Sequence, residues 1–435
     1  MMKSGSGGNG YLEYSEHRAG QRRQAVIFFI SLFLPFAIIL HIYFSHSSVS
    51  VYTTTTGKPF PYNHSTQPTS SDASETAGDA ILNTGAQCDL FRGDWIPEPA
   101  GPFYTNKTCR DIPDHQNCMK NGRPDSGYLY WKWKPDGCHL PRFNASRFLH
   151  IVRNKVWGFI GDSIARNNVQ SLVCLLSQVE DPMDAYHDEA YMFRRWYFPS
   201  YNFTLVVLWS PYLIKQSEDE VNGLPKDQIK LYLDTIDESW KNQLHEFDFI
   251  VLSGGEWFYK SSISLEKNKV VGCHYCPGMN FTELGIPFVY RKALRLAFKF
   301  ITTSPNYKGL TFFRTFTSDH FENGEWFSGG TCNHTVPFQK DQFSMPLLDA
   351  EMRKVELEEF EKAAKEGLAK GLKLKLLDTS QALLLRPDGH PGPYRYYYPF
   401  ANNSHAKVQN DCLHWCLPGP IDSWSEILLE ILQHE

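Results

Sequence analysis

Two short stretches hold residue types suited to acyl chemistry. In Trp157-Gly158-Phe159-Ile160-Gly161-Asp162-Ser163-Ile164-Ala165-Arg166, an apolar, β-favouring run meets Gly-Asp-Ser. Apolar residues then recur with helical spacing at Ile164, Val169, Leu172, Val173 and Leu176. The pattern reads as strand, tight turn, helix. Such a turn lifts the Ser163 hydroxyl beside the first helical N–H groups, which favour negative charge. Ser163 is then a candidate nucleophile if a base is in reach, although Gly-Asp-Ser taken alone reads better as a helix cap. Near the C-terminus, Asp411-Cys412-Leu413-His414-Trp415-Cys416 sets a carboxylate three residues before an imidazole. Asp411 could hold the His414 tautomer while the other ring nitrogen faces the serine. Alone, this pair reads as a solvated loop pinned by two cysteines. Both motifs in one globular region favour a triad of Ser163, Asp411 and His414.

Positioning these groups requires a layered scaffold, and the chain is long enough to supply one. Candidate strands at Val156–Ile160, Thr204–Leu208, Asp248–Leu252, Leu310–Phe313 and Lys373–Leu377 alternate with helical patterns at Ile164–Leu176, Gln228–Leu244, Phe288–Thr302 and Leu348–Ala369. The stretch before Thr204 reads as irregular. This alternation predicts an α/β, three-layer domain over 154–435 with a mainly parallel sheet and helices on both faces. Ligands bind beyond the carboxyl ends of such strands, where Ser163 and the Ser253-Gly254-Gly255 turn fall. A last helix presents Ile421, Trp424, Leu428 and Ile431 on one face. Residues 88–153 are dense in Cys, Pro, Gly and aromatics, with Trp131-Lys132-Trp133 prominent, and read as a loop-rich, disulfide-pinned lobe. The lobe is expected to form half of a substrate cleft, or else a brace.

Residues 1–24 form a polar, basic tail, and 25–44 are apolar except for Ser31, Pro35 and His41, long enough to span a bilayer. With basic residues before the span, a type II anchor is expected. The Ser/Thr-rich segment 45–87 reads as a flexible stalk. Beyond the span lie seven Asn-x-Ser/Thr sequons, at Asn63, Asn106, Asn144, Asn202, Asn280, Asn333 and Asn402, in agreement with a lumenal body. Ten cysteines, none before residue 88, argue for disulfides in an oxidising compartment. A net charge of −5 without a long basic run speaks against nucleic acid as a partner. The 14% aromatic content suits stacking on sugar rings as well as ordinary packing.

From Cys88 to the C-terminus the chain resembles the plant trichome birefringence-like polysaccharide O-acetyltransferases, whose fold is related to the SGNH (GDSL-type) esterases. The resemblance rests on Cys88-Asp89-Leu90-Phe91-Arg92-Gly93-Asp94-Trp95, Gly161-Asp162-Ser163 with Arg166-Asn167, His320-Phe321-Glu322, Gly329-Gly330-Thr331-Cys332, Arg386-Pro387-Asp388-Gly389-His390 and Asp411-Cys412-Leu413-His414-Trp415-Cys416. It implies a Golgi membrane protein that moves an acetyl group through an acetyl-serine onto a cell-wall hemicellulose. Details such as Val271-Gly272-Cys273-His274-Tyr275-Cys276 resemble the branch acting on xyloglucan or mannan, with xyloglucan first. The expected partners are a polysaccharide acceptor, an acetyl donor of unknown identity, the membrane and other Golgi membrane proteins that supply acetyl groups. No bound cofactor and no metal are expected. The resemblance also implies disulfides Cys88–Cys138, Cys109–Cys174, Cys118–Cys416 and Cys332–Cys412. The remaining Cys273 and Cys276 lack a second ligand pair with zinc spacing, so a local disulfide is expected there.

Where many members read Asn-Thr-Gly-His-Trp-Trp, this chain has Ser253-Gly254-Gly255-Glu256-Trp257-Phe258, without the asparagine donor to the oxyanion hole. The backbone amides of Ser163, Gly254 and Gly255 or the Ser253 hydroxyl would serve instead. Arg166 and Asn167 either support the turn or face substrate, with support favoured. Competing readings are a mannan or xylan O-acetyltransferase, an acetylesterase with the same triad, and a non-catalytic wall-polysaccharide binding protein.

Overall fold

Residues 88–435, apart from Asn222 and Phe343, are described by a computed structural model. The expected tail, anchor and stalk and the Asn63 sequon lie outside the described residues. Among the described residues no helix is long and apolar enough to cross a membrane.

The first two strands, β1 (Asp89–Pro97) and β2 (Trp131–Asp136), pair antiparallel in the N-terminal lobe. Next comes β3 (Val156–Gly161), at the centre of a seven-stranded sheet. That sheet also contains β4 (Met183–His187), β5 (Arg194–Phe198), β6 (Phe203–Trp209), β9 (Phe249–Leu252), β12 (Leu310–Arg314) and β13 (Leu374–Leu377), in the order β13-β12-β9-β3-β6-β5-β4. Strands β13, β12, β9, β3 and β6 are parallel; at one edge β5 runs back antiparallel to β6, and β4 pairs antiparallel with β5.

Side chains alternate across a strand, so each buried strand feeds two apolar layers. Trp157, Phe159, Leu205, Val207, Val251 and Phe312 share one layer with the helices Ser163–Leu176 and Asp422–Leu432. Ile160, Val206, Leu208, Ile250, Leu252 and Phe313 share the other with the helices Ile286–Thr303 and Leu347–Ala369. The expected three-layer α/β architecture is present.

One predicted helix is a strand. Residues 228–244 form β8 (Ile229–Ile236), followed by a single helical turn at Glu238–Lys241. Strand β8 belongs to a second sheet, β11-β10-β8-β7, with β7 (Ile214–Ser217), β10 (Ser262–Glu266) and β11 (Lys269–His274). Leu231 and Leu233 face the main core while Tyr232 faces a small cluster with Ile263 and Leu265. Burial on both faces produces an apolar density that mimics a helical stripe. The stretch before Thr204, expected to be irregular, holds the β4–β5 hairpin.

All four disulfides implied by the resemblance are present: Cys88–Cys138, Cys109–Cys174, Cys118–Cys416 and Cys332–Cys412. Cys273 and Cys276 are not joined, which corrects the expected local disulfide. The Cys276 Sγ lies 3.6 Å from the carbonyls of Ser262 and His274, acceptors for its S–H. Burial and the neighbouring Cys273 push its thiol up to about 12, away from the thiolate that oxidation requires. Of the six sequons within the described residues, Asn106 is half-buried and the other five are exposed.

Candidate active site

Strand β3 ends at Gly161 because the chain there crosses the end of β9: a Cβ on Gly161 would lie 2.4 Å from the Ser253 carbonyl oxygen. Asp162 then caps the helix, its Oδ1 accepting from the amides of Ile164 at 3.0 Å and Ala165 at 3.4 Å. The cap reading of the tripeptide therefore belongs to Asp162, whose carboxyl is pushed up by burial, partly offset by the Arg314 guanidinium and these amides. Ser163 is released from capping and opens the helix as its half-buried first residue.

The other half of the site is a loop held from many sides. His414 Nδ1 lies 2.9 Å from Asp411 Oδ2 and 3.1 Å from Oδ1, and Oδ1 also accepts the amides of Leu413 and His414. Burial alone would raise the Asp411 pKa, but the charge and hydrogen bonds of His414 hold it well below the usual carboxylate range. An ionised Asp411 keeps the proton on Nδ1 and leaves Nε2 as the basic nitrogen. The loop is fixed further by the Gly392–Asp411 backbone pair, by His320 N–H on the Cys412 carbonyl and by Leu417 N–H on the Gln116 carbonyl. Disulfides at Cys412 and Cys416 bracket it.

One buried side chain docks this loop on the serine helix. Asn167 Oδ1 accepts the Trp415 amide at 2.7 Å, and Asn167 Nδ2 donates to the Trp415 carbonyl at 3.3 Å. Asn167 stands four residues after Ser163, on the same helical face one turn away. The two motifs therefore meet at the carboxyl end of β3. Among the described residues Ser163 and His414 make no direct hydrogen bond; bonds of this kind are often long until substrate binds. With both polar ends of its carboxamide on Trp415, Asn167 is a structural link and not a substrate contact.

Residues 140–431 match the GDSL/SGNH-like acyl-esterase family found in Pmr5 and Cas1p, and residues 86–139 match the PMR5 N-terminal domain. The chain belongs to this acyl-esterase family. Protein trichome birefringence-like 26 of Arabidopsis thaliana is 52% identical over 92% of this chain and 86% of its own length. Xyloglucan O-acetyltransferase 4 of Populus trichocarpa is 45% identical over 80% of this chain and 81% of its own, and xyloglucan O-acetyltransferase 1 of the same species is 44% identical over 86% and 88%.

In this member of the family the turn after β9 supplies the remaining candidate groups. The amides of Gly254 and Gly255 meet no acceptor among the described residues, and the buried Ser253 hydroxyl has no hydrogen-bond partner. Gly255 adopts φ 150°, and a Cβ there would lie 2.6 Å from Phe316. Arg166 lies over the Trp209 ring at 4.8 Å, with Nη1 3.5 Å from the Met192 sulfur and a buried Nε that has no partner among the described residues. Burial, with the nearby Asp319 and Asp162, raises the Glu256 pKa well above its ordinary value.

Sequence reasoning missed His115 and Arg395. The His115 ring stands edge-on to His414 with centroids 6.4 Å apart, bringing the N-terminal lobe to the site. Partial desolvation, then His414, Arg395 and Arg166, push its pKa down to about 4, while the residue as a whole stays exposed. Neither residue lies in a motif, and only the Cys118–Cys416 pairing pointed to that part of the lobe.

Proposed function

We propose that this protein is a polysaccharide O-acetyltransferase that works by double displacement through an acetyl-Ser163. His414 Nε2 takes the Ser163 proton as Oγ attacks the acetyl carbonyl, and Asp411 stabilises the imidazolium. The imidazolium returns that proton to the departing group. An acceptor sugar hydroxyl then gives its proton to His414 and attacks the acetyl-serine, regenerating Ser163. The oxyanion is met by the amides of Ser163 and of Gly254 or Gly255, assisted by the Ser253 hydroxyl. One such donor is typically worth about 2.7–4 kcal/mol of barrier.

The observation that carries this reading is the Asn167–Trp415 clamp, which ties the residue after His414 to the serine helix one turn beyond Ser163. For the acceptor we propose xyloglucan, on the strength of the relatives named xyloglucan O-acetyltransferases at 44–45% identity. The acetyl donor is left open by chemistry: any activated acetyl ester or thioester satisfies the first step. We further propose a Golgi membrane protein, anchored by residues 25–44 with the body in the lumen, that takes its acetyl groups from other Golgi membrane proteins. The disulfides and the exposed sequons support that side of the membrane.

The test incubates the lumenal body with a labelled activated acetyl ester and deacetylated xyloglucan oligosaccharides, and follows the label by mass spectrometry. Label on Ser163 and then on sugar is expected. Unchanged transfer by Ser163→Ala would refute the nucleophile, and transfer to water alone would make the enzyme an esterase.

A further inference from the structure

Two histidines from motifs that the proposed chemistry does not use, His320 and His390, lie back to back behind the His414 loop. They are 6% and 4% exposed, and the His390 ring stacks on Trp415 with centroids 4.1 Å apart. His320 Nε2 lies 2.9 Å from the Leu384 carbonyl oxygen, and His390 Nδ1 lies 2.8 Å from the His414 carbonyl oxygen. A carbonyl only accepts, so each of those nitrogens carries a hydrogen. The remaining two nitrogens, His320 Nδ1 and His390 Nε2, face each other at 2.7 Å. Were both rings neutral, two lone pairs would meet at hydrogen-bond distance with nothing between them.

We infer that His320 and His390 share a third proton, and that this singly charged pair is a positioning device holding the backbone of His414. The inference rests on the proposed role of His414. Burial opposes a charge on either ring, pushing His320 down to about 4 and His390 well below its ordinary value, and a charge on His320 further opposes one on His390, which bars a second proton. The first proton stays because its loss sets lone pair against lone pair in a site closed to water. The groups facing the pair are Asp388, Glu322 and Asp411, which favour the charge, and His334 and Arg123, which oppose it. Arg123 also donates to the carbonyls of His390 and Asp388, so the lobe holds the pair from below. With one proton bound, the chain Leu384 carbonyl, His320, His390, His414 carbonyl is complete, and His414 is fixed through its own main chain. Without it the last link loosens and the imidazole drifts from Ser163.

The experiment has two arms on the full lumenal body. With 15N-histidine labelling, NMR of the wild type should show one strongly deshielded N–H proton correlated with nitrogens of both His320 and His390, absent in His320→Gln and retained in Ser163→Ala. Separately, kcat/KM is measured against pH. The wild type should lose activity on the alkaline side as the shared proton leaves. His320→Gln keeps a donor for Leu384 and removes the need for that proton, so its alkaline limb should vanish. His390→Phe should lower kcat about 10–100-fold, the usual cost of misplacing a catalytic group by about 1 Å, and His390→Asn, which keeps a donor for the His414 carbonyl, should recover most of it. Absence of the shared-proton resonance in wild type, or superimposable pH profiles for wild type and His320→Gln, overturns the inference. Failure of Ser163 as nucleophile would leave the resonance in place, so the two ideas fail separately.

Discussion

Replacing Asn167 by alanine tests the junction on which the site depends. Asn167 and Trp415 are both fully buried, so the substitution strands the Trp415 N–H and C=O where water does not reach them. Each orphaned group costs about 1–3 kcal/mol, and with the carbonyl contact the longer of the two, we expect a total of about 2–4 kcal/mol. Spread over the unfolding entropy of about 350 described residues, this lowers Tm by roughly 3–5 °C. The loop stays tethered by Cys118–Cys416 and Cys332–Cys412, so the protein still folds but His414 loses its alignment with Ser163. We expect kcat to fall about 10–100-fold with little change in KM for the acceptor, because the acceptor's own contacts are untouched. Calorimetry and transfer kinetics on the same preparation measure both quantities. A fall in Tm with kcat intact would mean that the contact only stabilises, and the argument that it aligns the two halves of the site would be refuted.

Further predictions concern the triad, pH and the disulfides. His414→Ala should reduce acetyl transfer to the level of Ser163→Ala, and the double variant should be no worse than either, since the two act as a unit; this is measured as kcat of labelled transfer. Glu426 is 8% exposed and burial pushes its carboxyl up to about 8, so the folded state keeps a proton that the unfolded chain releases near its ordinary pKa. Its contribution is complete below about pH 4 and is lost as pH rises through about 8, so denaturant melts should show stability falling with pH over that window. Glu426→Gln should flatten that slope and stabilise the protein by roughly 2–4 kcal/mol at pH 8. Reducing Cys118–Cys416, or substituting both by serine, should cost about 2–5 kcal/mol in the same melts and depress kcat, because the bond ties the lobe to the residue pair after His414.

Much of the scaffold was legible because its central strands are short apolar runs between turn signals. The strands β3, β6, β9, β12 and β13 and the serine helix were anticipated within a residue or two of their ends. Strand β8 was misread because Leu231, Tyr232 and Leu233 are buried together on two opposite faces, a pattern whose apolar density does not reveal its period. The β4–β5 edge hairpin escaped because β4 is fully exposed and carries no apolar face. The candidates Ser163, Asp411 and His414 stood out because their chemistry and local spacing coincide, and the structure links the loop of Asp411 and His414 to the Ser163 helix through Asn167. Asn167 was half read, as a support without a partner. His115, His320 and His390 make their contacts across the fold, and nothing in their local sequence announces a ring 6.4 Å from His414 or a nitrogen 2.7 Å from another.

The boundary near residue 140, where one family match ends and the other begins, does not divide the candidate site from its supports. Cut there, the larger fragment would keep Ser163 and lose the Cys118 bond and the Gln116 carbonyl that steady the far side of the His414 loop. The two segments must therefore travel, mature and be engineered together, and a chimera that exchanges one alone has to carry its matching half of the histidine's cradle.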